Sequence, residues 1–151
     1  RKKAVVIYAS MWKSSEKMAA VIADGLAGKG ISTKVMCLDV AHRSDIVTEI
    51  LDAGAMVVGT PTLNNNMFPL VADFLCYLKG LKPKNLLVGS FGSHGWSGQG
   101  PDLVNEELKS MNLEIFDQPL KLKYVPNEES LLECRLWGER LAKALEGRCS
   151  E

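Results

Sequence analysis

Tyr8-Ala9-Ser10-Met11-Trp12-Lys13-Ser14-Ser15 is the stretch that decides how this chain folds. The run KAVVIYA, Lys3 to Ala9, feeds directly into it, and a helical pattern leaves it from Ser14 to Lys29. The run is apolar throughout and rich in β-branched residues, the signature of a parallel strand buried on both faces. Ser14 or Ser15 can cap the helix, with Glu16 in its first turn. Met18, Val21, Ile22 and Leu26 recur at helical spacing, and Gly28 and Gly30 stop the helix. Between strand and helix the turn carries no carboxylate. It offers the hydroxyls of Ser10, Ser14 and Ser15 together with free backbone N–H groups at a helix start. Such a turn holds a phosphate monoester without supplying a group to hydrolyse it.

The same alternation continues along the chain. TKVMCL (Thr33 to Leu38) reads as a second strand, and Ser44 to Ala53 as a helix capped by Ser44, with Ile46, Ile50 and Leu51 inward and Gly54 closing it. AMVVGT (Ala55 to Thr60) is a third strand, followed by a helix from Pro69 to Leu81 with proline in its first turn. NLLVGS (Asn85 to Ser90) is a fourth strand and Pro101 to Met111 a helix. Ile115 to Val125 holds a fifth strand, broken at Pro119. Glu128 to Leu145 is a closing helix with Leu131, Leu132, Leu136, Leu141 and Leu145 as its inner stripe. Five strand–helix alternations predict an α/β fold, a parallel sheet covered on both faces with right-handed crossovers. No repeat, low-complexity tract or linker interrupts residues 1–151, which are read as a single domain. Ligands of such sheets bind beyond the carboxyl ends of the strands.

Two further loops leave those carboxyl ends. Thr60-Pro61-Thr62-Leu63-Asn64-Asn65-Asn66-Met67-Phe68-Pro69 sets three asparagines between two stiffening prolines. Asparagine tolerates the left-handed backbone, and its amide offers the donor and acceptor needed to read a heteroaromatic edge. Phe91-Gly92-Ser93-His94-Gly95-Trp96-Ser97-Gly98-Gln99-Gly100 has four glycines that let the backbone approach a ligand, and a Trp96 flanked by small residues on which a flat ring can stack. Each loop alone also reads as an ordinary cap, turn or glycine-rich surface loop. Together they describe phosphate in the first loop and a ring in the other two, a flavin mononucleotide (FMN) site.

Composition narrows the partners. The 151 residues carry 18 Lys and Arg against 18 Asp and Glu, so the basic excess of a nucleic-acid binder is missing. No apolar run has the length of a membrane-spanning helix and no signal peptide opens the chain. Cys37, Cys76, Cys134 and Cys149 form no C-x-x-C pair, which suits reduced thiols in the cytoplasm and argues against zinc. His42 and His94 stand far apart, and no metal site is expected. The chain opens on Arg1 rather than Met, as a trimmed product or a piece of a longer protein would.

The turn S-M-W-K-S-S-E-K-M-A, the loop G-T-P-T-L-N-N-N-M-F-P and the loop S-F-G-S-H-G-W-S-G-Q-G resemble the flavodoxin-like domain of flavodiiron proteins, also called A-type flavoproteins. The resemblance covers essentially the whole chain. T-L-N-N-N and G-W-S-G are more particular to that family than to flavodoxins at large. It implies a flavodoxin-like three-layer sandwich with a five-stranded parallel sheet of order 2-1-3-4-5, and one non-covalent FMN. It implies a phosphate held by Ser10, Met11, Trp12, Lys13, Ser14 and Ser15. The isoalloxazine would lie between Pro61, Thr62, Leu63, Asn64 and Asn65 on one side and Gly92, Ser93, His94, Gly95, Trp96 and Ser97 on the other. Position 94 is His where the family commonly has Tyr. The second loop lacks the glycine that many flavodoxins place beside flavin N5, so Asn64 or Asn65 would take that conformation.

The resemblance implies an oxidoreductase component in which FMN accepts electrons from a redox donor, rubredoxin or a reductase. It passes them to a di-iron oxygen or nitric oxide reductase centre on a separate domain, and no side chain of this chain acts as a catalytic acid or base. A head-to-tail homodimer is expected on the same ground. The neutral charge, against the usual acidity of flavodoxins, favours a domain of a larger enzyme over a free carrier. A free-standing flavodoxin, an NAD(P)H:quinone reductase of the same fold and a non-enzymatic interaction module that has lost its cofactor are the rival readings. A response-regulator receiver would need acidic residues where Ala9-Ser10 and Thr60-Pro61 stand, and a P-loop nucleotide binder would need the absent G-x-x-x-x-G-K-[ST].

Overall fold

The computed structural model describes residues 3–9, 13–41, 43–60, 62–63, 66–67, 69–83, 86–94, 99–123 and 127–149. The elements run β1 (Lys3–Tyr8), α1 (Lys13–Ala27), β2 (Ser32–Cys37), α2 (Arg43–Leu51), β3 (Ala55–Gly59), β4 (Thr62–Leu63), β5 (Asn66–Met67), α3 (Pro69–Gly80), β6 (Leu87–His94), α4 (Gln99–Ser110), β7 (Glu114–Ile115), β8 (Leu120–Lys123) and α5 (Glu128–Cys149).

The main sheet is ordered β2-β1-β3-β6-β7, and β8 also pairs with β6. All its pairings are parallel, so the expected 2-1-3-4-5 order is observed, with the fifth place shared by two short strands. β7 pairs with the amino half of β6 (Leu87↔Glu114, Val88↔Ile115) and β8 with its carboxyl half (Phe91↔Leu120 to His94↔Lys123). The break between them contains Pro119, which lacks the N–H a ladder needs.

β1 and β3 bury every residue from Ala4 to Ala9 and from Ala55 to Val58 because helices cover both faces. Alternate residues face two cores. Ala4, Val6 and Tyr8 pack under α1 and α5; Val5, Ile7 and Ala9 pack under α2, α3 and α4. Full burial of each such aliphatic side chain contributes about 1.5–3 kcal/mol.

On the first face α1 and α5 touch backbone to backbone. A methyl group at Gly25 would overlap the Arg135 carbonyl oxygen, and one at Gly138 would overlap that of Ile22. α1 ends in a Schellman cap: Gly30, at φ +85°, donates to Ala27 O at 3.0 Å, and Ile31 N donates to Leu26 O at 3.2 Å. Leu26 and Ile31 are both buried, the apolar contact that accompanies such a cap. α5 starts with Asn127, whose Oδ1 accepts from Ser130 N at 2.8 Å.

The inner stripe of α5 differs from the leucine pattern expected of it. Cys134, Trp137, Leu141, Ala142 and Leu145 are buried, whereas Leu132 and Leu136 are about half exposed (55% and 49%). Close approach at Gly138 turns the neighbouring Trp137 and Cys134 inward, and Leu132 and Leu136 lie off that arc. The Trp137 ring lies over Gly89 and meets Phe116 edge-on, with centroids 5.4 Å apart. In α2, Ile46 and Ile50 are buried but Leu51 is 72% exposed, since the helix ends there.

Candidate functional site at the carboxyl edge of the sheet

Tyr8, Gly59 and Phe91 stand side by side in register across β1, β3 and β6. The first two loops therefore leave adjacent strands at one level, and the third leaves the next strand three residues further on, beyond the same carboxyl edge. Backbone bonds extend this level past the strand ends: Ala9 N donates to Gly59 O (3.3 Å), Thr60 N to Phe91 O (3.0 Å), and Leu38 N to Tyr8 O (2.8 Å). Strand order reverses between β1 and β3, the crevice where ligands of doubly wound sheets bind.

In the first loop Lys13, Ser14 and Ser15 form the first turn of α1, one residue earlier than expected. First-turn N–H groups have no acceptor within their own helix and carry the positive end of its dipole. Ser10, Met11 and Trp12 lie outside the described residues. Below this turn, Tyr8 is nearly buried; burial pushes its phenol up to about 12, and neighbouring Cys37 adds to the shift. Tyr8 is thus neutral at physiological pH and adds no negative charge beside an anion.

The second loop contains an antiparallel pair that its composition had concealed, with Thr62 opposite Met67 and Leu63 opposite Asn66. Asn64 and Asn65 are the two residues joining that pair, a position at which asparagine is favoured. They and Pro61 lie outside the described residues.

The third loop is shorter than expected. Phe91 to His94 belong to β6, and α4 begins at Gln99. Gly92, Ser93 and His94 read as loop because of composition, but β8 supplies ladder partners up to His94. Gly95, Trp96 and Ser97 lie outside the described residues. A β-carbon at Gly92 would overlap the Thr60 carbonyl oxygen and come within 2.9 Å of Pro101 Cγ. This contact draws the ends of β3 and β6 and the start of α4 together.

Thr60 and Ser90 are the fully buried polar residues among the described core, and both sit at this edge. Ser90 Oγ lies 2.6 Å from Asn105 Oδ1 and 3.0 Å from Pro101 O. Lys121 of β8 pairs with Asp102 of α4 at 2.5 Å. Sequence reading passed over Ser90 and Asn105. Their signal was a serine ending an apolar strand, and an asparagine four residues beyond the helix's opening proline.

Elsewhere, burial pushes the Cys134 thiol up to about 12, which leaves it unreactive. Cys37, Cys76 and Cys134 are free thiols. Among the described residues, no group of three or more His, Cys, Asp or Glu is placed to hold a metal ion, and no helix is long and apolar enough to cross a membrane. An open groove of about 520 Å³ over Leu113 and Ile115 lies beside β7, at the opposite half of β6 from the three loops.

A family model described as Flavodoxin matches residues 6–138. The chain belongs to the flavodoxin family. FMN is its cofactor. The edge fits that group: adjacent loops, a helix N-terminus without a carboxylate in its approach, and a glycine-mediated convergence of β3, β6 and α4.

Among flavodoxin-like relatives, the chain is 41% identical over 146 residues to the rubredoxin-oxygen oxidoreductase of Megalodesulfovibrio gigas, covering 97% of this chain and 36% of that protein. The solved rubredoxin oxygen:oxidoreductase from Desulfovibrio gigas superposes with a TM-score of 0.96 at 40% identity, over 100% of this chain and 38% of that one. The nitric oxide reductase of Moorella thermoacetica is 41% identical over 141 residues, 93% of this chain and 35% of that protein. A flavodoxin from the domain Archaea superposes with a TM-score of 0.87 at 28% identity, over 95% of this chain and 99% of its own. The chain spans about a third of the length of the curated relatives it matches.

Proposed function

We propose that this domain relays electrons through FMN to a di-iron centre carried on a separate domain, in an oxygen or nitric oxide reductase of the flavodiiron type. The observation that carries this reading is the 41% identity over 97% of the chain to a rubredoxin-oxygen oxidoreductase nearly three times as long. FMN supplies the redox chemistry, and the protein supplies binding, access and potential.

Ser10 to Ser15 would hold the phosphate, with the α1 N-terminus contributing N–H groups and dipole. Pro61 to Asn65 would line one side of the ring and Gly92 to Ser97 the other. No side chain of this chain has to move a proton. The donor is proposed to be a rubredoxin or a reductase, the setting cytoplasmic, and the assembly a head-to-tail dimer that brings the FMN of one chain near the di-iron site of the other. A free-standing flavodoxin is the second reading, favoured by the near end-to-end superposition on the archaeal flavodoxin.

Purified protein should be yellow and carry one FMN per chain by absorbance; a colourless protein that ignores added FMN would overturn the binding reading. A relay domain should show no sustained quinone reduction with NAD(P)H alone, and rapid turnover in that assay would replace the relay with a reductase.

A further inference from the structure

We infer that Ser90 and Asn105 form a positioning clasp for the flavin ring loop. This rests on the assignment of Gly92 to Ser97 to the ring side of the site.

Ser90 is fully buried near the carboxyl end of β6, one residue before the level shared with Tyr8 and Gly59. Its side chain points to the α4 face, as does Gly92. A serine hydroxyl has one proton to donate. Asn105 Oδ1, at 2.6 Å, is the nearer acceptor, and the Pro101 carbonyl oxygen, at 3.0 Å, is the second. Pro101 lies in the first turn of α4 and Asn105 one turn further, so the one donated proton, shared unequally between the two acceptors, bridges two successive turns of one helix.

Two other contacts hold the same turn. The Pro101 ring packs beside Gly92, and Asp102 pairs with Lys121 of β8. The start of α4 is therefore fixed against β6 and β8. Only four residues, 95 to 98, join the end of β6 to α4. The placement of those two ends sets the span that the four residues must bridge. An apolar residue at position 90 could fill the same space, but it would set neither the rotation nor the height of α4. A directional bond sets both.

The clasp touches neither phosphate nor ring, so its effect reaches FMN through the loop. Ser90→Ala in the full chain should weaken FMN and riboflavin by the same factor, about three- to tenfold for one lost hydrogen bond. It should also alter the visible circular dichroism of the bound flavin. In the apoprotein, amide exchange should speed up at Leu103, Val104 and Asn105, the first amides with an acceptor inside α4, and stay unchanged in 108–110. Asn105→Ala, at a half-buried site, should reproduce these effects, and the double variant should add little to either single one.

Unchanged flavin affinity and dichroism, with only a lower Tm, would reduce Ser90 to a packing residue and overturn the inference. So would full additivity of the two variants. Failure of the unsubstituted chain to bind FMN would instead sink the functional reading, and the exchange pattern of the apoprotein would still test the clasp.

Discussion

The two ends of the central sheet use polar groups in opposite ways. At the amino end, Lys3 Nζ pairs with Glu49 Oε2 at 2.7 Å and Asp52 Oδ1 at 2.6 Å, and Lys34 Nζ reaches Glu49 Oε1 at 3.2 Å. These charges are partly or largely exposed, and water screens them. At the carboxyl end, Thr60 and Ser90 are sealed from solvent, where an unpaired polar group costs about 1–3 kcal/mol. Groups at the amino end can be exchanged at small cost; the buried ones at the carboxyl end must keep their partners. The end that tolerates buried polarity is the end from which the three loops proposed to hold FMN depart.

The largest effect should come from the phosphate turn. Replacing Ser10 and Ser15 together with Ala is expected to weaken FMN by about 10²- to 10⁴-fold, two charge-assisted hydrogen bonds, and to weaken riboflavin far less. Equal losses for the two ligands, measured by flavin fluorescence quenching, would move the phosphate away from this turn and erase half of the contrast.

Next in size is Gly138→Ala on α5, which asks whether fold and site can be separated. A methyl group there overlaps the Ile22 carbonyl, so denaturant unfolding should show a loss of about 1–3 kcal/mol. An ordinary helical glycine would instead gain about 1 kcal/mol from alanine. FMN affinity of the folded protein should not change.

The smallest effect is expected at the amino end. Lys3, then Lys34, holds the Glu49 carboxyl below its ordinary 4.5, while Asp52 and Glu49 hold the Lys3 ammonium above its ordinary 10.5. A depressed carboxylate stabilises above its unfolded pKa and loses that contribution as pH falls through the folded one. A raised ammonium loses its share only as pH climbs past 10.5. Tm should therefore fall on acidification below 4.5, and Glu49→Gln should flatten that limb slightly. High salt should shrink the difference. A large effect that persists in salt would mean this end is built like the other.

Much of this was legible from residue types. The uniform apolar runs of β1 and β3, the glycine stop of α1 and the proline start of α3 each follow from local chemistry, and the α/β alternation followed from them. The break at Pro119 was visible because proline cannot donate to a ladder. Misses arose where a distant partner overrode composition. Gly92, Ser93 and His94 became strand because β8 pairs with them. Leu132 and Leu136 face outward because α1 and α5 meet at Gly25 and Gly138.

By itself, the sequence determined the alternation of the main strands and helices, the parallel character of the main sheet and the chemical character of three loops, because backbone propensity and hydrophobic period are local properties; it did not show the short β4–β5 pair. Only the tertiary structure decided that Tyr8, Gly59 and Phe91 lie at one level, which face of α5 turns inward, and that Ser90 grips α4. Those depend on strand register and helix approach, which are set by packing between residues far apart in the chain.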